Sequence, residues 1–421
     1  MLSLPLPTPG SRLSVSGLHG SSDALAIAAL ARRRRPLAVF TSQALDGQRL
    51  AQELPFFEPG LRVNLFPDWE TLPYDNFSPH QDLVSERLAT LYQISHDVCD
   101  VLIIPVATAL QRLPPVEFLA AYSFFLKQGT RIQPEALRRQ LTMAGYSHVT
   151  QVVSPGEYSF RGGVIDLFPM GSAVPYRIDL FDDEIDSIRT FDVDTQRSIY
   201  KVNDVRLLPA REFPTDDDAR TRFRQNFRER FEGDPSRSQL YKDVSNGVFA
   251  AGIEYYLPLF YDSTATLIDY LPAETIAIFH GDVHEAIEAF WRDTRSRFEL
   301  LRGDRDRPLL PPQELYLFPD QFNGAVKPFA RIAIGAGAEE HMPIAELPSL
   351  RIRRIAQKSI APGAVIDGPT IFSADLGQEI DNMEGIDAHV TAEGETIVTM
   401  ISDDNFSMIQ RNLLLQFALV E

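Results

Sequence analysis

The sequence predicts an α/β protein: a mainly parallel sheet covered by helices, a smaller α+β unit containing an antiparallel meander, and a small second α/β unit near the end. Three observations lead there. Over the first hundred residues apolar strand-like runs alternate with helix-like runs, the pattern of a parallel sheet covered on both faces. Between Phe160 and Val193 the apolar period changes to two, which fits antiparallel strands. From Pro369 onward short strand-like runs return after a stretch of mixed character.

Taken in order, residues 12–16 read as a short strand and residues 17–22 as a loop of small residues. Residues 23–34 are Ala-rich and lead into Arg32-Arg33-Arg34-Arg35 and Pro36, a helix capped by Ser22 with cations at its negative end. Residues 37–40 and 101–106 are buried strands. The meander strands are expected at 160–168, 174–181 and 185–193, with turns at 169–172 and 182–184. Residues 208–218, rich in Pro and Asp, mark a boundary. Phe223, Phe227 and Phe231 then recur every four residues, the stripe of a core-facing helix. Residues 302–312 lead out of a domain, and 319–362 read as a linker. Strand-like segments at 370–372, 396–401 and 412–420 make up the last unit.

At 421 residues, a spacing of roughly one domain per 150 residues gives two to four domains. The hydrophobic share of 44% suffices for several cores. A net charge of -18 argues against a large DNA-binding surface, which needs cations to neutralise phosphates. Cys99 is the sole cysteine, so no intrachain disulfide is possible, as suits a reducing cytoplasm. The first residues do not read as a signal peptide, and the longest apolar run, 24–31, falls short of the roughly 20 residues that span a bilayer. A soluble, cytoplasmic, monomeric protein is expected.

Chemistry is sparse. Gly17, Gly20, Ser21 and Ser22 stand between a strand and a helix, as in a phosphate-binding loop, but no lysine follows and Asp23 would repel phosphate. The competing reading is an ordinary helix start. Arg32 to Arg35 can be a nucleic-acid patch or helix-end charge, and the dipole favours the second. Cys99, near His96 and Asp97, precedes a buried strand and reads as a small hydrophobe. No catalytic constellation and no metal-ligand spacing occurs, so neither an enzyme site nor a metal is expected.

The meander is more informative. In residues 174–181, Val174, Tyr176, Ile178 and Leu180 fall on one face, and Pro175, Arg177, Asp179 and Phe181 on the other. The preceding strand offers Arg161, followed by Gly162-Gly163. Arginine beside an aromatic is the composition of a protein interface. A solvated sheet face with Phe181 covered by a loop is the alternative.

Asp68-Trp69-Glu70-Thr71-Leu72-Pro73-Tyr74-Asp75, then Ser78-Pro79-His80, closely resembles a signature of the bacterial transcription-repair coupling factors, the Mfd family. Gly156-Glu157-Tyr158 with the run Arg161 to Pro169, Leu180 to Asp186, and Gly252-Ile253-Glu254-Tyr255-Tyr256 fit the same family. The resemblance covers about residues 68–312. It implies a degenerate RecA-like, UvrB-like domain split into residues 1–117 and 209–318, an inserted domain at 118–208, and a third domain at 363–421. It implies that the insert docks the excision-repair protein UvrA, with Arg161, Arg177 and Phe181 as contacts and Asp179 and Arg189 beside them. The missing loop lysine implies that the ATP-driven role of UvrB is lost, leaving a non-catalytic module without cofactor; an ATP-dependent UvrB-like enzyme and a purely structural segment are the rivals. Contacts with RNA polymerase and DNA, and ATP binding, would belong to domains beyond Glu421, so the chain reads as a fragment.

Overall fold

The computed structural model describes residues 4–335, apart from 5, 17, 19, 97 and 305. Beyond these it describes the backbone of strands at 350–353, 370–374, 383–390, 396–402 and 414–419. Strands β1 (Arg12–Val15), β2 (Leu37–Thr41), β3 (Val63–Leu65) and β4 (Val101–Pro105) alternate with helices α1 (Ser22–Arg33), α2 (Ala44–Phe57) and α3 (Gln81–Ser95). Short helices α4 (Val106–Ala109) and α5 (Val116–Tyr122) lead into the inserted unit. It comprises β5 (Phe124–Lys127), α6 (Pro134–Met143), β6 (Ser147–His148), β7 (Glu157–Arg161), β8 (Val164–Phe168), β9 (Tyr176–Phe181), β10 (Glu184–Phe191), β11 (Ser198–Val202) and β12 (Asp204–Leu207). The chain returns through α7 (Asp217–Arg230), α8 (Gln239–Ser245), β13 (Ile276–His280), α9 (Val283–Leu301), α10 (Pro312–Leu315), α11 (Pro319–Val326) and β14 (Ala330–Ile334).

The first sheet has the order β1-β14-β13-β2-β4-β3, and every neighbouring pair in it is parallel. Its central strand β2, Leu-Ala-Val-Phe-Thr, is buried at every position because both faces are covered. Val39, Ile103, Ile278 and Ile332 pack with α1 and α2 on one side. On the other side, the core that contains Phe40 and Ile104 continues without a break to Ile165, Ile178 and Ile188 of the insert. The insert therefore shares its core with the host domain. The stripe Phe223 and Phe227 is buried in the same core, as its spacing predicts.

Four expectations need correction. The segment 319–334 is no linker: α11 packs Phe322 into the core, and β14 fills the place between β1 and β13. A five-residue strand behind a proline-bearing stretch gives little local signal, and only its non-local pairing reveals it. Residues 160–168 are not one strand; Gly162, at φ +61°, turns the chain so that Arg161 pairs with Val164 across a hairpin. Helix α1 begins one residue early, at Ser22, and Ser21 occupies the cap without a capping bond, spending its hydroxyl on Glu53 instead (3.1 Å). In the last unit the described strands are all antiparallel, β15 (Leu350–Arg353) with β16 (Thr370–Ala374), and β17 (Met383–Val390), β18 (Thr396–Ser402) and β19 (Leu414–Leu419) in a row; the helical part of that expectation lies outside the described residues.

Two buried ion networks fix the architecture. Arg87 of α3 is fully buried and donates to Glu212 from Nε (2.5 Å) and Nη2 (3.3 Å), and from Nη1 to the Pro67 carbonyl (2.8 Å). Its guanidinium lies over the rings of Phe66 and Trp69. Glu212 stands where the chain leaves the insert, so this pair ties insert to host. The motif containing Trp69 locks onto the same place: Trp69 meets Tyr255 edge-on at 5.6 Å, Tyr255 donates to the Leu72 carbonyl (2.7 Å), and Ser78 donates to Glu254 (2.7 Å).

The second network fills the loop that resembles a phosphate site. Gly17 lies outside the described residues; Gly20 has φ +54° and leads to Ser21 and Ser22. Asp23 is buried, and its carboxylate accepts from the Ala24 amide (2.6 Å), from Arg49 (3.0 and 2.6 Å) and stands 2.7 Å from His280 Nε2. The helix N-terminus thus already holds an anion, its own side chain. Burial pushes the Asp23 pKa up, but the bonds from His280 and Arg49 outweigh it and hold the carboxyl down at about 2. The arginine run is likewise spent locally, Arg32 on Glu58, Arg33 on the Leu4 carbonyl and Arg35 on Asp100 (3.1 Å). Cys99 is buried, which raises its thiol to about 12 and leaves it a small hydrophobe.

Glu212→Gln strips a buried guanidinium of its counter-charge and is expected to cost about 3–5 kcal/mol in urea unfolding, while Arg87→Met with Glu212→Leu costs less than either single change. A loss for Glu212→Gln below about 1 kcal/mol, the range of a surface pair, would refute the clamp. For Asp23 the folded pKa lies below the ordinary 3.8, so its ionised form stabilises the fold above about pH 4, and the benefit vanishes as pH falls towards 2. Asp23→Asn should therefore be less stable than the parent by about 2 kcal/mol near pH 6, with the gap closing in acid; a gap independent of pH contradicts this assignment.

Candidate docking face of the inserted sheet

The insert's sheet runs β11-β10-β9-β8-β7-β6. Ile165, Ile178 and Ile188 line up across β8, β9 and β10 and face the core. The alternate residues form the outer face. Directly opposite partners share a face, so Ser159, Asp166, Arg177, Arg189 and Lys201 make one row across five strands. The register shift at Asp186 brings Ser187, rather than Asp186, opposite Asp179.

Asp166 is the centre of this face. Its side chain is 1% exposed, and two arginines close on it. Arg177 donates from Nε to Oδ1 (2.7 Å) and from Nη2 to Oδ2 (3.0 Å), with Nη1 on the Gln196 carbonyl (3.0 Å). The bond to Asp166 pushes the Arg177 pKa further above its ordinary value. Arg161 reaches Oδ2 from the hairpin. Asp179 holds the neighbouring charges: Ser187 donates to it (2.8 Å) and Arg189 pairs with it (3.1 Å). Three arginines, Arg161, Arg177 and Arg189, thus share this face with three carboxylates, Asp166, Asp179 and Glu184, the last lying opposite Phe181.

One end of the face is closed by a small apolar cluster of Val152, Phe168 and Phe191, and the Phe191 ring sits 4.9 Å from the Arg177 guanidinium. The other end is open. Both hairpin turns, Gly162-Gly163 and Asp182-Asp183, lie there. The first requires glycine: Gly162 is left-handed, and a Cβ on Gly163 would press on the Leu180 carbonyl at 3.3 Å. Phe181, the last residue of β9, is 77% exposed, and the Arg161 side chain is 52% exposed.

The structure thus brings together Arg161, Arg177, Phe181, Asp179 and Arg189 on one face, as alternation predicts for the residues of 174–181. No loop covers Phe181 among the described residues, against the alternative reading of that face. Arg177 is mostly buried and its charge is met by Asp166, so it braces the face, while Arg161, paired to the same carboxylate, keeps about half of its side chain exposed. Asp166 is the residue that pattern reading missed. Its signal is one acidic residue at the outward position of Val164-Ile165-Asp166-Leu167-Phe168, obscured by reading 160–168 as a single strand. No group of three or more His, Cys, Asp or Glu is placed to hold a metal among the described residues, and no described helix is long and apolar enough to cross a membrane.

The domain family described as the UvrB interaction domain matches residues 124–213, from β5 to Phe213. The chain is 42% identical to the transcription-repair-coupling factor of Escherichia coli (strain K12), over 88% of this chain and 33% of that protein. It is 41% identical to the one from Haemophilus influenzae, over 83% of this chain and 31% of the relative, and 28% identical to the one from Bacillus subtilis (strain 168), over 66% and 25%. The chain spans about a third or less of the length of these curated relatives. With a UvrB interaction domain and this identity over most of its length, the chain belongs to the family of transcription-repair-coupling factors.

Proposed function

We propose that this chain is a docking module without catalysis of its own, and that the outer face of the inserted sheet recruits UvrA in transcription-coupled excision repair. The observation that carries this reading is an exposed phenylalanine beside an open arginine, on a face braced from beneath by a buried carboxylate, inside the segment that matches the UvrB interaction domain. Phe181 would enter an apolar pocket, and Arg161 would meet an acidic or carbonyl acceptor. Because the braced arginines are already in place, little ordering entropy is lost on binding. Contacts with RNA polymerase and with DNA, and ATP-driven movement, belong on this reading to parts of the relatives that this chain does not span. The internal anion at Asp23 fits a nucleotide-free role in the cytoplasm.

Calorimetric titration of purified UvrA into the chain tests this. Phe181→Ala should weaken binding about 30-fold, as loss of an anchor worth about 2 kcal/mol requires. Phe181→Ala with Arg161→Ala should abolish measurable binding without unfolding the protein, since both side chains are largely exposed. Unchanged affinity in the folded double variant, or no binding by the parent to UvrA that still binds UvrB, would sink the proposal. Asp166→Asn is expected to act indirectly: it loosens Arg177 and Arg161 together, lowering stability by about 1–3 kcal/mol as well as affinity.

A further inference from the structure

The sheet that carries the docking face ends in an open edge, β11. On its inner side β11 pairs with β10, with Ile188 opposite Val202 and Arg189 opposite Lys201. No strand pairs with its outer side among the described residues. The ladder decides which amides point outward. Leu180 donates its N–H to the Gly163 carbonyl, towards β8. Successive residues of a strand turn their N–H and C=O groups to opposite sides, so Asp179 and Arg177 turn towards β10 and are met by Ser187 and Arg189. Ile188, between those two, turns to β11 and is met by Val202. Lys201, the residue before Val202, therefore points its N–H and C=O away from the sheet.

The edge is exposed from Ser198 to Lys201, with Ile199 at 60% and Tyr200 at 55%. An open edge with apolar side chains is a template for another strand. Charge selects the occupant. Asp194 and Asp204 lie beyond the two ends of the strand, and Arg189, opposite Lys201, is already paired with Asp179; along the strand itself the exposed charges are Lys201 and, where β11 begins, Arg197. Two copies of this edge would set these cations against each other, whereas an acidic segment would be drawn to them. The edge is also continuous with the docking face, because Lys201 ends the row that runs through Arg189 and Arg177 to Asp166.

We propose that β11 takes an extended, acidic segment of the docking partner by strand addition, so that the partner covers the outer face and pairs along its edge. This rests on the docking reading above and adds a backbone contact to it. The test compares Lys201→Pro with Lys201→Ala in titrations with UvrA, after circular dichroism shows both folded. Proline at Lys201 removes the charged side chain and an outward donor and leaves the bonds to β10 in place; alanine removes the same side chain and keeps the donor. Lys201→Pro should weaken binding about tenfold beyond Lys201→Ala, the loss expected for a backbone hydrogen bond at an interface. Equal affinities of the two variants overturn strand addition and leave the face docking intact. Absence of binding by the parent chain overturns the docking reading and this proposal with it. A parent dimer in sedimentation that Lys201→Pro abolishes overturns the proposal in favour of a second copy at the edge. Independently of any variant, amide exchange at Lys201 should slow when UvrA is added, and unchanged exchange there overturns the proposal even if Lys201→Pro fails to fold.

Discussion

The pair Arg87–Glu212 is the constraint on which the rest depends. A guanidinium with no exposure at all must find its partners inside the protein, because leaving it unmatched would cost several kcal/mol. Three segments meet there: α3 supplies Arg87, the loop before α3 supplies Pro67 and the flanking rings, and the end of the insert supplies Glu212. The three segments can satisfy that charge only in one arrangement. The insert is thereby held at a fixed position on the parallel sheet, with its inner face joined to the host core and its outer face turned away from it.

The same logic recurs on a smaller scale at the docking face. Asp166 is buried on the outer side of its own sheet, where a carboxylate is stable only because Arg177 and Arg161 close over it. That closure has a functional side. It holds flexible arginine side chains in a preformed array, next to a phenylalanine that the hairpin holds in solvent. Asp23 shows the inverse arrangement. There a carboxylate occupies the helix start from within, matched by Arg49 and His280, and the site is complete without any outside anion.

Much of this was legible in the sequence. The buried strands at Leu37 and Val101 follow from continuous apolar runs, as covering of both faces requires, while the stripe of Phe223 and Phe227 and the two faces of the strand ending at Phe181 follow from periodicity, since burial on one face imposes a local rhythm. The hidden features are non-local. Strand β14 is recognised by its neighbours β1 and β13, which lie far away in sequence. The hairpin at Gly162 is marked only by the Gly162-Gly163 pair, which the strand-like residues on either side outweigh until the pairing of Arg161 with Val164 is seen. Asp166 gains its meaning from Arg177 across one strand pair and Arg161 across another, and Arg87 from a glutamate 125 residues away. The motif beginning at Asp68 marks the family, and the structure gives it a physical role as the packing surface for Tyr255 and Arg87.

The central claim, that a partner docks on the outer face of the insert, is tested most directly by photo-crosslinking. A benzophenone amino acid placed at Phe181 is compared with the same group at Leu300, an equally exposed apolar position on α9 of the host domain. Irradiation with UvrA should give a covalent adduct from position 181 and none from position 300. An adduct from position 300 alone, or equal adducts from both, would contradict the account.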